Sequence, residues 1–245
     1  MTVNGNFRSI VRIPLVKVLF ILTAICLIAR ISSNRSDIDT QDVAKLIQSQ
    51  LNNGNPSPAF RTGGKVKRGT VEKLFNGTAD DDPELVEYMR EVKILPPSKQ
   101  PYNLSRPKQV DASQFGQTRD LDRMLHNMTG GFFVEVGAHN GEDLSNTLYF
   151  ERYRNWTGLL IEAGPPLFKK LVTKNRKAYA VNVCLSLKPE ASIVNFITVG
   201  YNGRITGKTD AGASIQCVPL YTLMLALGRN QIDLFSLDIE GDELK

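Results

Sequence analysis

Apolar positions along the chain fall into three regimes. Ile13 to Ala29 is a nearly continuous apolar run broken by Lys17, and Ser32 to about Pro101 is polar and interrupted. Beyond that, short apolar runs alternate with amphipathic stretches. Phe132–Val136, Thr157–Ile161, Ala178–Val183 and Leu234–Leu237 read as buried strands, while Ser145–Arg152 and Pro165–Lys174 read as helices. Such alternation predicts right-handed crossovers and an α/β fold, with a parallel sheet covered on both faces. Two shorter helices are expected before it, the first docked on the main domain. "DDPELVEYMREVKIL" has Asp82 as cap, Pro83 at the first position and Leu85, Val86, Met89 and Val92 at helical spacing, giving a helix over 83–94. Leu121 and Leu125 in "SQFGQTRDLDRML" mark the other.

The first run nears the roughly 20 residues that a membrane-spanning helix needs, with Lys17 able to snorkel toward the headgroups. A cleaved signal peptide is the alternative, but no small-x-small cleavage site follows Ala29. Arg8, Arg12 and Lys17 place the N-terminus in the cytoplasm and the rest in the lumen. The chain therefore divides into a cytoplasmic tail (1–12), a transmembrane signal anchor (13–31), a stem (32–101) and a folded domain (102–245). Its 245 residues, 42% of them hydrophobic, suffice for one substantial core. A net charge of +5 does not point to nucleic acid, because the basic residues are scattered apart from "KVKR" at 65–68. The expected partner is a membrane.

Asn34, Asn76, Asn103, Asn127 and Asn155 each begin an Asn-x-Ser/Thr triplet, an N-glycosylation acceptor, on the predicted lumenal side; Asn76, Asn103, Asn127 and Asn155 are the expected glycosylation sites, and Asn34 is very near the membrane. Cys184 and Cys217 are the only cysteines outside the first run. They can form a disulfide in an oxidising lumen or pack as free small hydrophobes, and no metal-ligand spacing is present.

Candidate chemistry centres on "FFVEVGAHNGED", residues 132–143. Gly137 and Gly141 fall where the first strand hands over to the first helix, where a tight turn and close approach to a ligand favour glycine. Glu162 ends the second strand about twenty residues later, an offset suited to accepting ribose hydroxyls. Together they predict a nucleoside-type cofactor. The loop is not G-x-G-x-x-G, and no Walker lysine follows. Glu135 can serve the cofactor loop or simply be a buried acid satisfied by amides, and Asp238 and Glu240 can be catalytic or cap a following helix. His126 and His139 read as loop histidines, and Trp156 as packing.

"EVGAHNG" resembles the first motif of class I methyltransferases, which bind S-adenosylmethionine, and "DLFSLDIEGDEL" resembles the D-x-E-G-x-E signature of the FkbM-type methyltransferase family. The resemblance implies a class I methyltransferase-like, Rossmann-like sheet and O-methyl transfer. Glu135 would organise the loop, Gly137, Ala138 and Gly141 would admit the cofactor, Glu162 would hold its ribose, and Asp238 and Glu240 would be catalytic. Ser236 stands where that family commonly has lysine, and Asn140 where aspartate is common. Segments such as "WTGLLIEAGPPLF" and "IQCVPLYTLM", read with the N-terminal anchor, are similar to the Star-like branch of animal membrane proteins. That branch implies a type II membrane protein of the endoplasmic reticulum and Golgi, reaching plasma membrane or endosome, that assists export of membrane-bound growth-factor precursors without necessarily catalysing anything. Because the family's sheet has further strands beyond the D-x-E-G-x-E motif, the chain is expected to hold only the cofactor half. Leu234–Leu237 would then be an exposed apolar edge and methyl transfer would be absent.

Overall fold

The computed structural model describes residues 20–22, 68–199, 202–206 and 213–238; Glu240, Asn34 and most of the 13–31 segment lie outside them. In chain order the elements begin with β1 (Phe20–Leu22), α1 (Arg68–Leu74), β2 (Thr78–Ala79), α2 (Pro83–Tyr88) and α3 (Gln117–Met124). They continue with β3 (Phe132–Val136), α4 (Leu148–Tyr153), β4 (Thr157–Ile161), α5 (Pro165–Thr173), β5 (Tyr179–Val181) and β6 (Cys184–Leu185). The last are β7 (Glu190–Val199), β8 (Asn202–Thr206), β9 (Ala213–Val218), α6 (Leu220–Leu227) and β10 (Leu234–Leu237).

The main sheet runs β1-β10-β3-β4-β5 and is parallel throughout. Its strands are apolar on both faces because both faces are covered. Phe132, Val134 and Val136 alternate with Phe133 along β3: the first set packs with Leu85, Met89, Leu223 and Met224, the second with Phe150, Trp156, Leu160 and Leu171. Helices α1, α2 and α6 therefore cover one face, and α3, α4 and α5 the other. Gly158 of β4 leaves the space that the Phe133 ring fills.

Two expectations are corrected, the extent of the stem and the bare edge of β10. The stem does not reach residue 101, because Leu74, Phe75, Leu85, Val86, Met89 and Ile94 belong to the main core. Their apolar spacing runs through a helix, a π-helical turn (Met89–Lys93) and an extended segment, so no single period exposes it. Asp82 caps α2 through the amides of Glu84 and Leu85. Most of the expected span over 13–31 lies outside the described residues, among which no helix is long and apolar enough to cross a membrane. Within that segment Phe20–Leu22 is extended and pairs in parallel with β10, Phe20 opposite Phe235. That pairing covers the β10 edge expected to be bare; an apolar tripeptide satisfies the ladder as readily as it fills a helix.

A second sheet, β2-β7-β9-β6 with β8 alongside β7, has no counterpart in the elements expected from sequence. Within it β6 pairs in parallel with β9, setting Cys184 opposite Cys217, and the two are joined by a disulfide with Cα atoms 4.4 Å apart.

Candidate functional site

From the central strand β3 the chain passes to β4 and β5 on one side, and only after the second sheet and α6 does it return to β10 on the other. The crevice beyond the carboxyl ends of β3 and β10 is thus the switch point of the sheet, where open α/β folds bind ligands. Gly137 opens it with φ 79°. A Cβ there would collide with the main-chain carbonyl of Asp238, so glycine is required by the neighbouring strand as well as by the turn. The amides of Gly137 and Ala138 both donate to the carbonyl of Ile161 at 3.0 Å, which bends the loop over β4.

Beneath this loop lies a buried polar network. Glu135, at 4% exposure, accepts from Ser145 Oγ (3.0 Å), the Asn146 amide (2.7 Å) and Thr147 Oγ1 (2.7 Å). Those bonds hold 145–147 outside the helix, which is why α4 begins at Leu148 and not at Ser145. Arg176 reaches the same loop from the α5–β5 connection. Its guanidinium donates to the Gly141 carbonyl at 2.5 Å, Thr147 Oγ1 at 3.1 Å and Glu151 at 2.9 Å. The Arg176 and Glu151 side chains are 2% and 0% exposed. Asn146 Nδ2 donates to Ser236 Oγ at 3.0 Å, joining β10 to the network.

Glu162 stands on the other side of the loop, at the end of β4. Its carboxylate accepts the His139 amide at 2.8 Å and the Gly164 amide at 2.7 Å, while Asn182 Nδ2 holds the main-chain carbonyls of Glu162 and Ala163. Burial drives its pKa up to about 7 against the downward pull of those two amides. Each carboxylate oxygen has one lone pair engaged by an amide, so each retains acceptor capacity for a ligand hydroxyl. Burial also pushes the His139 imidazole below its ordinary value.

A third anchor fixes the loop's outer end. Glu142 accepts the amides of Ser105 (2.7 Å) and Arg106 (2.6 Å) and an ammonium bond from Lys174 at 2.6 Å. Burial alone would raise this carboxyl, but Lys174 and the two amides outweigh it and hold it at about 2. Asn140 completes the turn, its Oδ1 accepting the amides of Glu142 and Asp143.

The structure gathers Gly137, Ala138, Glu162 and Asp238 around the turn that follows β3, with Glu135 buried beneath it, and their parts differ. Ala138 turns its methyl into the core, with 3% exposure, and lends only its backbone. Gly141 (φ 78°) meets α5: a Cβ there would lie 3.0 Å from Leu171 Cγ, so its closeness is to a helix. Asp238 follows β10 and donates its amide to Val136 O at 3.0 Å. Trp156 packs on Phe150, ring centroids 4.9 Å apart, and donates Nε1 to Met128 O. Asn76, Asn103, Asn127 and Asn155 are all exposed. Sequence reading did not single out Arg176, Glu151, Glu142 or Lys174, since cations and acids between helices and strands carry no local pattern that separates them from surface charges.

Residues 135–245 match the model of the family described as the methyltransferase FkbM domain. No curated protein and no solved structure matches the chain.

Proposed function

We propose that the crevice binds S-adenosylmethionine and that the domain is an O-methyltransferase of the FkbM type. The observation that carries this reading is Glu162, a buried carboxylate beside the Gly137 turn, each of whose oxygens accepts one amide and retains acceptor capacity for a hydroxyl. When bound, S-adenosylmethionine supplies a methyl group on a positively charged sulfur, ready for transfer to a nucleophilic oxygen. Glu162 holds the ribose hydroxyls, the Gly137–Ala138 backbone admits the methionine portion, and Glu135 and Arg176 keep the loop in its shape. Asp238 and Glu240 are assigned to the acceptor, orienting its hydroxyl and receiving its proton. The deciding experiment is calorimetric titration with S-adenosylmethionine of the wild type and Glu162→Gln. Saturable wild-type binding weakened at least tenfold by the substitution supports the reading; a wild type that binds nothing overturns it.

A second reading is a Star-like trafficking factor that uses the same fold without catalysis, assisting export of membrane-bound growth-factor precursors from the endoplasmic reticulum. What supports it is Ser236, 1% exposed and bonded to Asn146, at a position where the resembling family has a lysine. Co-precipitation of such a precursor by a chain that binds no cofactor would favour it. Under either reading we place the domain in the secretory lumen, as the Cys184–Cys217 disulfide supports. Anchorage through residues 13–31 would require Phe20–Leu22 to leave β10. Retention in the membrane pellet after alkaline extraction supports the anchored arrangement, and release into the supernatant refutes it.

A further inference from the structure

The loops that precede β3 and β4 lie together at the end of the sheet where the strands begin, since Phe132 and Thr157 are register partners. They are tied by Gly130 N to Arg154 O at 2.9 Å, Trp156 Nε1 to Met128 O at 2.8 Å and Arg154 Nη2 to Asn127 Oδ1 at 3.1 Å. Arg154 is itself fixed by Asp122, which accepts from its Nε at 2.7 Å and Nη2 at 2.5 Å. Asn127 therefore sits in a left-handed turn, φ 56°, its main-chain amide donating to Asp122 O at 2.8 Å and its side chain tethered through Oδ1.

Asn127, Met128 and Thr129 are all exposed. The other described Asn-x-Ser/Thr triplets are built into the fold. Asn103 Nδ2 donates to Thr173 O, and Ser105 is held by Glu142 and Lys174. Trp156 is buried, and Thr157 lies within β4 with its hydroxyl on Lys177 O. The Thr78 hydroxyl donates to Lys73 O. An enzyme that reads such a triplet must reach the asparagine nitrogen and the hydroxyl two residues on. Among the described residues, the Asn127 triplet alone offers both on the folded domain.

We propose that Asn127 is an N-glycosylation site that stays accessible after folding, and that its glycan marks the face opposite the crevice. In the transfer, Asn127 Nδ2 displaces the pyrophosphate of a polyprenyl-pyrophosphate oligosaccharide. A bond forms from nitrogen to the anomeric carbon, the carbon–oxygen bond breaks, and one amide proton is lost to a base of the transferring enzyme. The five-residue strand β3 puts about 17 Å between this end and the Gly137 turn. The glycan should accordingly leave the crevice open. The inference does not depend on methyl chemistry.

The test expresses the full chain in animal cells, releases N-glycans enzymatically in heavy-oxygen water and reads each asparagine by mass spectrometry. Asn127 is expected to carry label at an occupancy at least equal to that of Asn76, Asn103 and Asn155. Thr129→Ala, which spares Asn127 and its bond from Arg154, should remove one glycan step from the gel ladder. An unlabelled Asn127, an occupancy below that of any of the other three, or an unchanged ladder in Thr129→Ala would overturn the proposal. Occupancy is read on wild-type protein, and the ladder of Thr129→Ala serves as the second, independent check.

Discussion

Replacing Arg176 by methionine tests whether the loop is held from beneath. The substitution keeps a long apolar stem but deletes the guanidinium that meets Glu151, the Gly141 carbonyl and Thr147. Glu151 would keep the Lys177 amide at 2.6 Å yet lose the guanidinium paired with it in a place where its side chain is 0% exposed. Removing one partner of a buried ion pair costs about 3–5 kcal/mol, because the charge left behind is uncompensated. In a domain of this size that corresponds to a fall in Tm of roughly 6–20 °C. The assay is urea denaturation of the wild type, Arg176→Met, Glu151→Gln and the double variant, at a fixed pH near 7. The double variant should be less destabilised than the two single losses added together, since the second change removes the orphaned charge. A loss below about 1 kcal/mol for Arg176→Met, or simple additivity, would refute the account of the pair as the loop's support.

Four further outcomes follow. Gly141→Ala should cost about 1–3 kcal/mol in denaturant unfolding, because it forces a left-handed backbone and crowds Leu171. Glu162, raised to about 7 when folded, contributes stability that is full below its unfolded value near 4.5 and is lost as pH rises through about 7. The wild type should therefore lose about 3 kcal/mol across that window, a slope absent from Glu162→Gln, while S-adenosylmethionine affinity rises over the same window as the accepting carboxylate ionises. Glu142, depressed to about 2, acts in the opposite sense: its stabilisation is present above about 4.5 and lost as pH falls toward 2, so Glu142→Gln should flatten the acid limb of an unfolding profile. Replacing Cys184 and Cys217 by serine should cost about 3–4 kcal/mol, given their separation of 33 residues, and should weaken cofactor binding because the pair packs against Ala163, next to Glu162.

The strands that carry the crevice were legible because they are buried on both faces. Phe132–Val136, Thr157–Ile161 and Leu234–Leu237 are short, predominantly apolar runs, and the structure keeps those bounds. The glycine turn and Glu162 were legible because their spacing is fixed by one strand-turn-helix-strand unit. What was hidden depends on contacts between distant residues. The start of α4 was set by Glu135 drawing three donors out of the helix, an effect invisible in a hydrophobic period. β7 alternates apolar and polar residues weakly, with Ile193 47% exposed, so it resembles a loop as much as an edge of a half-buried sheet. Arg176 and Glu151 lie 25 residues apart and become a pair only when α4 packs beside the α5–β5 connection.

The seam between β3 and β10 also sets a clock. Phe132 and Asp233, whose backbones close its lower end, are 101 residues apart in the chain. During vectorial synthesis at about 5–20 residues per second, β3 would wait roughly 5–20 s for that partner to leave the ribosome. For that interval the Gly137 turn has no Asp238 carbonyl against it, so the crevice takes shape only once β10 has emerged. A chaperone that shields an unpaired apolar strand would meet this domain at β3, and would be displaced when β10 arrives.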